Sequence, residues 1–169
     1  MKQVIILGTS RSNGNTHKLV KLYQEYSPAD IINLSDYSIS PYDYEHKNID
    51  DDFANLIKNA LNYDHIIFAS PIYWYSMSAQ MKIFFDRLSD LLTINKELGR
   101  RLRGKTCAIL ATGLEIKAPK CFEQPFILTA NYLGMHYQQM FYCSCNEQFI
   151  VQKHLPPLIS YLGMQSTYQ

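Results

Sequence analysis

The sequence predicts an α/β fold: a doubly wound parallel sheet of five strands in the order 2-1-3-4-5, with helices on both faces. Three observations carry that expectation. Five apolar runs, Val4–Leu7, Ile31–Leu34, His65–Ala69, Thr106–Ala111 and His136–Tyr142, are spaced along the chain. Segments of helical period lie between and after them, and regular strand–helix alternation demands right-handed crossovers and a parallel sheet. Five strands fit the 2-1-3-4-5 order better than the six-stranded dinucleotide arrangement. A length of 169 residues suits one domain over residues 1–169, and no repeat, low-complexity tract or linker interrupts it.

The elements follow in order. Val4–Leu7 is continuously apolar, as a strand buried on both faces should be. Leu19, Leu22, Tyr23 and Tyr26 mark a first helix, ended by Ser27-Pro28 because proline disfavours helical backbone in the residue before it. The second run leads into the longest irregular stretch, Ser35–Lys47, a loop whose Tyr37, Tyr42 and Tyr44 read as cover for a sheet edge rather than part of a site. Asp50, Asp51 and Asp52 then precede Phe53, Leu56, Ile57, Ala60 and Leu61, one apolar helix face whose N-terminus those charges favour.

After the third run, Met77, Met81, Phe84, Phe85, Leu88, Leu91 and Leu92 draw the strongest helical stripe in the chain. Lys82, Asp86 and Arg87 fall on its polar side and read as a solvated or ion-paired face. Cys107, inside the fourth run, reads as a buried structural cysteine. Phe122, Phe126, Leu128, Tyr132 and Leu133 mark the next helix, stopped near Gly134. The fifth run is polar at Gln138 and Gln139, which puts it near an edge. Pro156-Pro157 suits the first turn of a last helix through Leu158–Leu162.

Composition excludes several classes. At 47% hydrophobic and 13% aromatic the chain is globular rather than disordered. A net charge of +1 lacks the basic excess of a nucleic-acid binder. No apolar run approaches the roughly 20 residues needed to cross a bilayer, and the start is too quickly polar for a signal peptide. The expectation is a cytoplasmic protein with neither nucleic acid nor membrane as partner. Cysteine residues in that compartment stay reduced, and Cys143-Ser-Cys145 lacks the spacing of a zinc site. The histidines show no pattern of a triad or a metal centre.

Chemistry is expected beyond the carboxyl ends of the strands at the switch point, where the loops after the first, third and fourth strands meet. The first loop is Gly8-Thr-Ser-Arg-Ser-Asn-Gly-Asn-Thr16, running straight into a helix. Small side chains let backbone N–H groups close on an anion, and the helix N-terminus adds positive potential, so a phosphate suits it better than an ordinary capping turn. The loop is neither a P-loop, with Asn15 where lysine belongs, nor G-x-G-x-x-G, with Ser10 at the second glycine. The second loop, Ser70-Pro-Ile-Tyr-Trp-Tyr-Ser76, places aromatics beside it, suited to a planar ring or to a partner subunit. The third carries Thr112-Gly113, a weaker signal for close backbone approach.

These motifs resemble the flavodoxin-like NAD(P)H-dependent FMN reductases: Gly8–Thr16 their phosphate loop, Ser70–Trp74 and Ser78–Arg87 their second flavin loop and helix. The resemblance spans most of the chain. It implies a flavodoxin-like fold, FMN as cofactor and NAD(P)H as co-substrate, with hydride passing to the flavin and electrons on to a small acceptor such as a quinone, nitro or azo compound, metal ion or free flavin. It places Ser10, Arg11, Ser12, Asn15 and Thr16 on the FMN phosphate. Pro71, Ile72, Tyr73 and Trp74 would flank the isoalloxazine, bordered by Thr112 and Gly113, with backbone amides near Tyr73 and Trp74 tuning it. The flavin carries the chemistry, so no catalytic side chain is implied. A homodimer with the flavin near its interface is implied as well. Ser40–Ile49 lacks the clustered cysteines of iron–sulfur relatives, so no iron–sulfur cluster is expected. Leu114–Pro119 replaces a glycine-rich loop common in the family, a departure that falls on the substrate pocket and nicotinamide access. Two alternatives stay open, a flavodoxin-type electron carrier and a flavin-less binding protein of the same fold.

Overall fold

The computed structural model describes residues 1–146 and 148–166; the last three residues of the domain drawn from sequence lie outside the described residues. Five parallel strands, β1 (Gln3–Leu7), β2 (Asp30–Asn33), β3 (His65–Pro71), β4 (Thr106–Gly113) and β5 (His136–Ser144), form one sheet in the order β2-β1-β3-β4-β5. This is the doubly wound, flavodoxin-like arrangement that the run spacing predicts.

Helices α1 (Asn15–Tyr26), α2 (Phe53–Ala60), α3 (Ala79–Arg87), α4 (Lys96–Arg100), α5 (Lys120–Tyr132) and α6 (Val151–Ser166) make the crossovers and the outer layers. Strand period sorts the core. Ile5, Leu7, Ile67, Ala69, Ala108 and Leu110 point to α1 and α6, whereas Val4, Ile6, Ile66, Phe68, Cys107 and Ile109 point to α2, α3 and α5. Both faces of β1, β3 and β4 are therefore buried, which is why their sequences run apolar without alternation.

The structure bears out the edge position of β5 and differs from the sequence reading in three other places. β3 and β4 run on to Pro71 and Gly113, paired there as Pro71 with Thr112, so the residues at their ends are carried by the sheet rather than by free loops. On edge strand β5, Tyr137 faces Cys107 and Met140 faces Ile109; a bulge takes up Gln138 and Gln139, and the polar pair costs the ladder little. The long stripe is broken: α3 ends at Arg87, a 3₁₀ turn covers Leu88–Leu92, and the short α4 follows. Gly99 of α4 packs where a Cβ would stand 2.3 Å from the Leu91 carbonyl oxygen, so only glycine lets α4 close on that turn. Finally, α6 begins at Val151, not at the proline pair. Its buried face is His154, Leu158 and Tyr161, and the exposed Pro156 and Pro157 leave carbonyls of the preceding turn to water.

His65 opens β3 fully buried, its Nδ1 bonded to Thr106 Oγ1 at 2.7 Å while Nε2 has no partner among the described residues. Burial disfavours its charged form and pushes its pKa down to about 4. The unfolded chain protonates near pH 6.5 and the native chain does not, so stability falls as pH drops from that value towards 4. By pH 5 the loss is about 2 kcal/mol. Urea unfolding at pH 7.5 and pH 5 should register this difference, and His65→Gln should reduce it. No described helix is long and apolar enough to cross a membrane.

Candidate functional site

The carboxyl ends of β1, β3 and β4 lie side by side, and hydrogen bonds lock the segments that leave them. Ser78, the N-cap of α3, accepts from Met81 N–H and donates from Oγ to the Gly8 carbonyl at 2.8 Å. Its own N–H donates to Ser70 Oγ at 3.0 Å. Gly8 N–H donates to the Ala69 carbonyl at 2.9 Å. Thr16 Oγ1 and Thr112 Oγ1 sit 2.7 Å apart, joining α1 to β4. Each tie is buried, where a satisfied polar pair is rigid.

Between them opens a crevice of ≈ 390 Å³. Thr9, Arg11, Asn13, Gly14, Asn15, Thr16 and Lys18 line one end, Pro71, Ile72 and Tyr73 the second wall, and Thr112, Gly113, Leu114 and Cys145 the third. Arg11 and Lys18 are cationic and no lining side chain is acidic. Gly14 caps α1 without a side-chain bond, and the first turn carries no acid. The free N–H groups and positive end of α1 thus serve the crevice alone, an arrangement that attracts an anion.

Most of the residues singled out in the sequence come together here; three do not line the crevice. Ser10 is exposed and accepts from Gln80 Nε2 at 3.5 Å, and Ser12 is exposed on the turn. Trp74, 93% exposed, belongs to an adjoining cavity. The hydroxyls of Thr16 and Thr112 engage one another, so the pair keeps a single O–H for a ligand. Residues the sequence reading missed are Lys18, one turn after Asn15 on the same helix face, and Cys145, which arrives from β5 and has no local signal. Burial raises the Cys145 thiol pKa despite Lys153 and Lys18 nearby, and raises Cys143 to about 12. Both remain thiols at neutral pH. Among the described residues no metal-binding cluster forms.

The Tyr73–Ser76 segment is a tight hairpin. Tyr73 N–H donates to the Ser76 carbonyl at 2.9 Å and Ser76 N–H returns to Tyr73 at 3.0 Å. Its central residues, Trp74 and Tyr75, have φ of 47° and 66°. Such turns usually take Asn-Gly; an L residue pays about 1–2 kcal/mol for each left-handed position. Strain of this size concentrates at functional sites. The Tyr73 amide is consumed by the hairpin and does not face a ligand, contrary to the sequence expectation. Among the described residues nothing accepts from the Trp74 and Tyr75 amides, which are the donors left.

A second cavity, ≈ 510 Å³, adjoins the first and shares Ile72, Tyr73, Gly113 and Leu114 with it. Trp74, Tyr75, Glu115, Pro119 and Tyr142 complete its walls.

Arg87, read from sequence as part of a solvated or ion-paired face, is 1% exposed and ion-paired. The solvated description suits only Lys82 and Asp86, paired at 2.6 Å in the open.

The sequence model of the NADPH-dependent FMN reductases matches residues 1–149. The Bacillus subtilis protein YwqN, whose name describes an NAD(P)H-dependent FMN-containing oxidoreductase, is 38% identical over 98 residues, 54% of this chain and 54% of that protein. An iron–sulfur flavoprotein of Methanocaldococcus jannaschii, MJ1083, is 32% identical over 125 residues, 67% of this chain and 62% of that one. Both matches thus span a little over half of the curated relatives. In three dimensions the chain is similar to the Trp repressor binding protein of Bacillus subtilis, with a TM-score of 0.74, 24% identity and 94% of each chain covered.

Proposed function

The chain belongs to the NADPH-dependent FMN reductase family, and on that premise we propose that it is an oxidoreductase passing reducing equivalents from NAD(P)H through bound FMN to a small acceptor. One observation carries this reading: an acid-free, doubly cationic crevice at a helix N-terminus opens directly into an aromatic-walled cavity. A phosphate-bearing planar cofactor needs the first, and a second reactant beside its ring needs the other. Bound FMN supplies hydride acceptance and electron release; the chain binds, orients and shields.

The donor set fits the group. Arg11, Lys18, the Asn15 amide and the α1 N–H groups would hold a phosphate; Ser10 and Ser12 stand outside the crevice. Pro71, Ile72 and Tyr73 would lie along the ring, Thr112 and Gly113 would border it, and the Trp74 and Tyr75 amides would offer donors to its edge. Ile72 and Leu114 would supply apolar surface beside the ring. No lining carboxylate or histidine of the crevice is placed to move a proton, so no catalytic side chain is assigned.

We also propose a cytoplasmic homodimer. Trp74, Leu114 and Ile116, which are 93%, 72% and 87% exposed, would be covered by the second copy beside the site. Sedimentation velocity tests it. With no cysteine in Ser40–Ile49, an iron–sulfur cluster is not part of this reading.

The decisive experiment is a visible spectrum after FMN is added, followed by anaerobic titration with NADH and NADPH. Yellow protein bleached by either nicotinamide is expected. Protein that ignores FMN overturns the reading, and yellow protein that neither nicotinamide bleaches points to an electron carrier.

A further inference from the structure

The segment Leu114–Ala118, which separates β4 from α5, has no regular structure, and Leu114 through Lys117 are exposed. Little packing holds it. Among the described residues, one hydrogen bond ties this stretch to the rest of the chain: Tyr142 Oη donates to the Glu115 carbonyl at 2.6 Å. Tyr142 stands on β5, outside the loops of the switch point. Its ring reaches across the end of β4, so closely that a Cβ on Gly113 would lie 2.8 Å from Oη and 3.2 Å from Cε2. Gly113 is thus the residue that lets the hydroxyl reach its acceptor. Leu114 and Glu115, the residues this bond fixes, are walls of the outer cavity, as is Tyr142.

We propose that Tyr142 is a specificity-determining positioning residue, its hydroxyl holding Leu114–Ala118 as a wall of the outer cavity, and that this cavity receives an uncharged planar aromatic acceptor. The inference rests on the oxidoreductase reading above. Tyr73, Trp74, Tyr75 and Tyr142 offer ring faces for stacking. No basic side chain lines the cavity and Glu115 is its one charged lining residue, so an anionic acceptor finds no partner there. With the tether gone, binding must also order the segment, and affinity falls by the net worth of one hydrogen bond.

The test is Tyr142→Phe, which keeps the ring. Trp74 is the only tryptophan of the chain, so its fluorescence reports occupation of the cavity without any turnover. Titration of the oxidised, FMN-loaded protein with a neutral naphthoquinone should give a Kd roughly three- to tenfold higher in the variant. The quinone KM should rise in step, while hexacyanoferrate(III), an outer-sphere acceptor that needs no cavity, should reoxidise dithionite-reduced variant and wild type at the same rate, a readout that bypasses nicotinamide binding. Unchanged quinone Kd and KM overturn the proposal, as does equal loss with both acceptors, which marks a general structural defect. A sulfonated naphthoquinone that quenches Trp74 as tightly as the neutral one overturns the acceptor class. Failure of nicotinamide to bleach the wild-type protein defeats the oxidoreductase reading instead, and the fluorescence titration still decides the role of Tyr142 by itself.

Discussion

Replacing Arg87 with methionine is expected to remove about 3–5 kcal/mol from the unfolding free energy. The guanidinium is almost wholly buried at the end of α3. Its Nε donates to Asp90 Oδ2 at 2.8 Å, and Nη1 donates both to Asp51 and to the Ser40 carbonyl, the latter at 3.1 Å. Its plane lies over the Phe53 ring with 4.8 Å to the centroid, and His46 Nδ1 approaches the other oxygen of Asp90 at 3.2 Å. Methionine fills much of the volume but abandons two carboxylates where water is scarce. Lysine should rescue poorly, because one ammonium cannot span the two carboxylates and the carbonyl as a planar fork does. Burial raises the Asp51 pKa, but the hydrogen bonds from Arg87 and from the Ser40 and Phe53 amides outweigh it, holding the carboxyl below its usual value. That stabilisation is present above the ordinary carboxylate pKa and is lost as pH falls through the lowered one, so the variant should lose less on acidification. Urea unfolding of Arg87→Met, and of Arg87→Met with Asp51→Asn and Asp90→Asn, separates the effects. The triple variant should recover much of the loss; a single-variant loss under about 1 kcal/mol would contradict the account.

This network also marks where sequence reasoning stops. The strand order was legible because burial on both faces leaves near-continuous apolar runs at β1 and β3, and because alternation with helices admits few topologies. The site was legible for a related reason: at a switch point, loops remote in sequence must converge, so Gly8–Thr16 and Ser70–Ser76 could be read together. Arg87 was not. Helical period puts it beside Lys82 and Asp86, and its partners Ser40 and Asp51 belong to a segment remote in sequence with no periodic signature. Tyr142 and Cys145 escaped likewise, since they reach the site from β5 across the end of a neighbouring strand. Prolines misled at α6, where Pro156 and Pro157 suggest a beginning. The buried face from His154 to Tyr161 outweighs their missing donors because both prolines face water.

Asn15→Asp should weaken FMN binding by about 3 kcal/mol, roughly a hundredfold, while leaving the empty protein as stable as before or slightly more so. The two effects have opposite signs because they depend on different partners. Asn15 is the first residue of α1, after a Gly14 cap that supplies no side-chain acceptor, in a first turn that holds no acid. A carboxylate there interacts favourably with the positive end of the helix, worth about 0.3–1 kcal/mol. The same carboxylate lines the crevice between Arg11, Thr16 and Lys18, where a phosphate dianion would meet it. Repulsion at about 4 Å and an effective dielectric near 20 amounts to about 4 kcal/mol per pair of unit charges, before Arg11 and Lys18 offset part of it. A defect in folding would lower both readouts together, so thermal melting of the flavin-free variant and its titration with FMN, followed by flavin fluorescence, distinguish the causes. Raising the salt concentration should narrow the gap between variant and wild type, because part of it is Coulombic and the loop is open to solvent. An unaltered FMN affinity would remove the phosphate from this end of the crevice, and with it the orientation assigned to the cofactor.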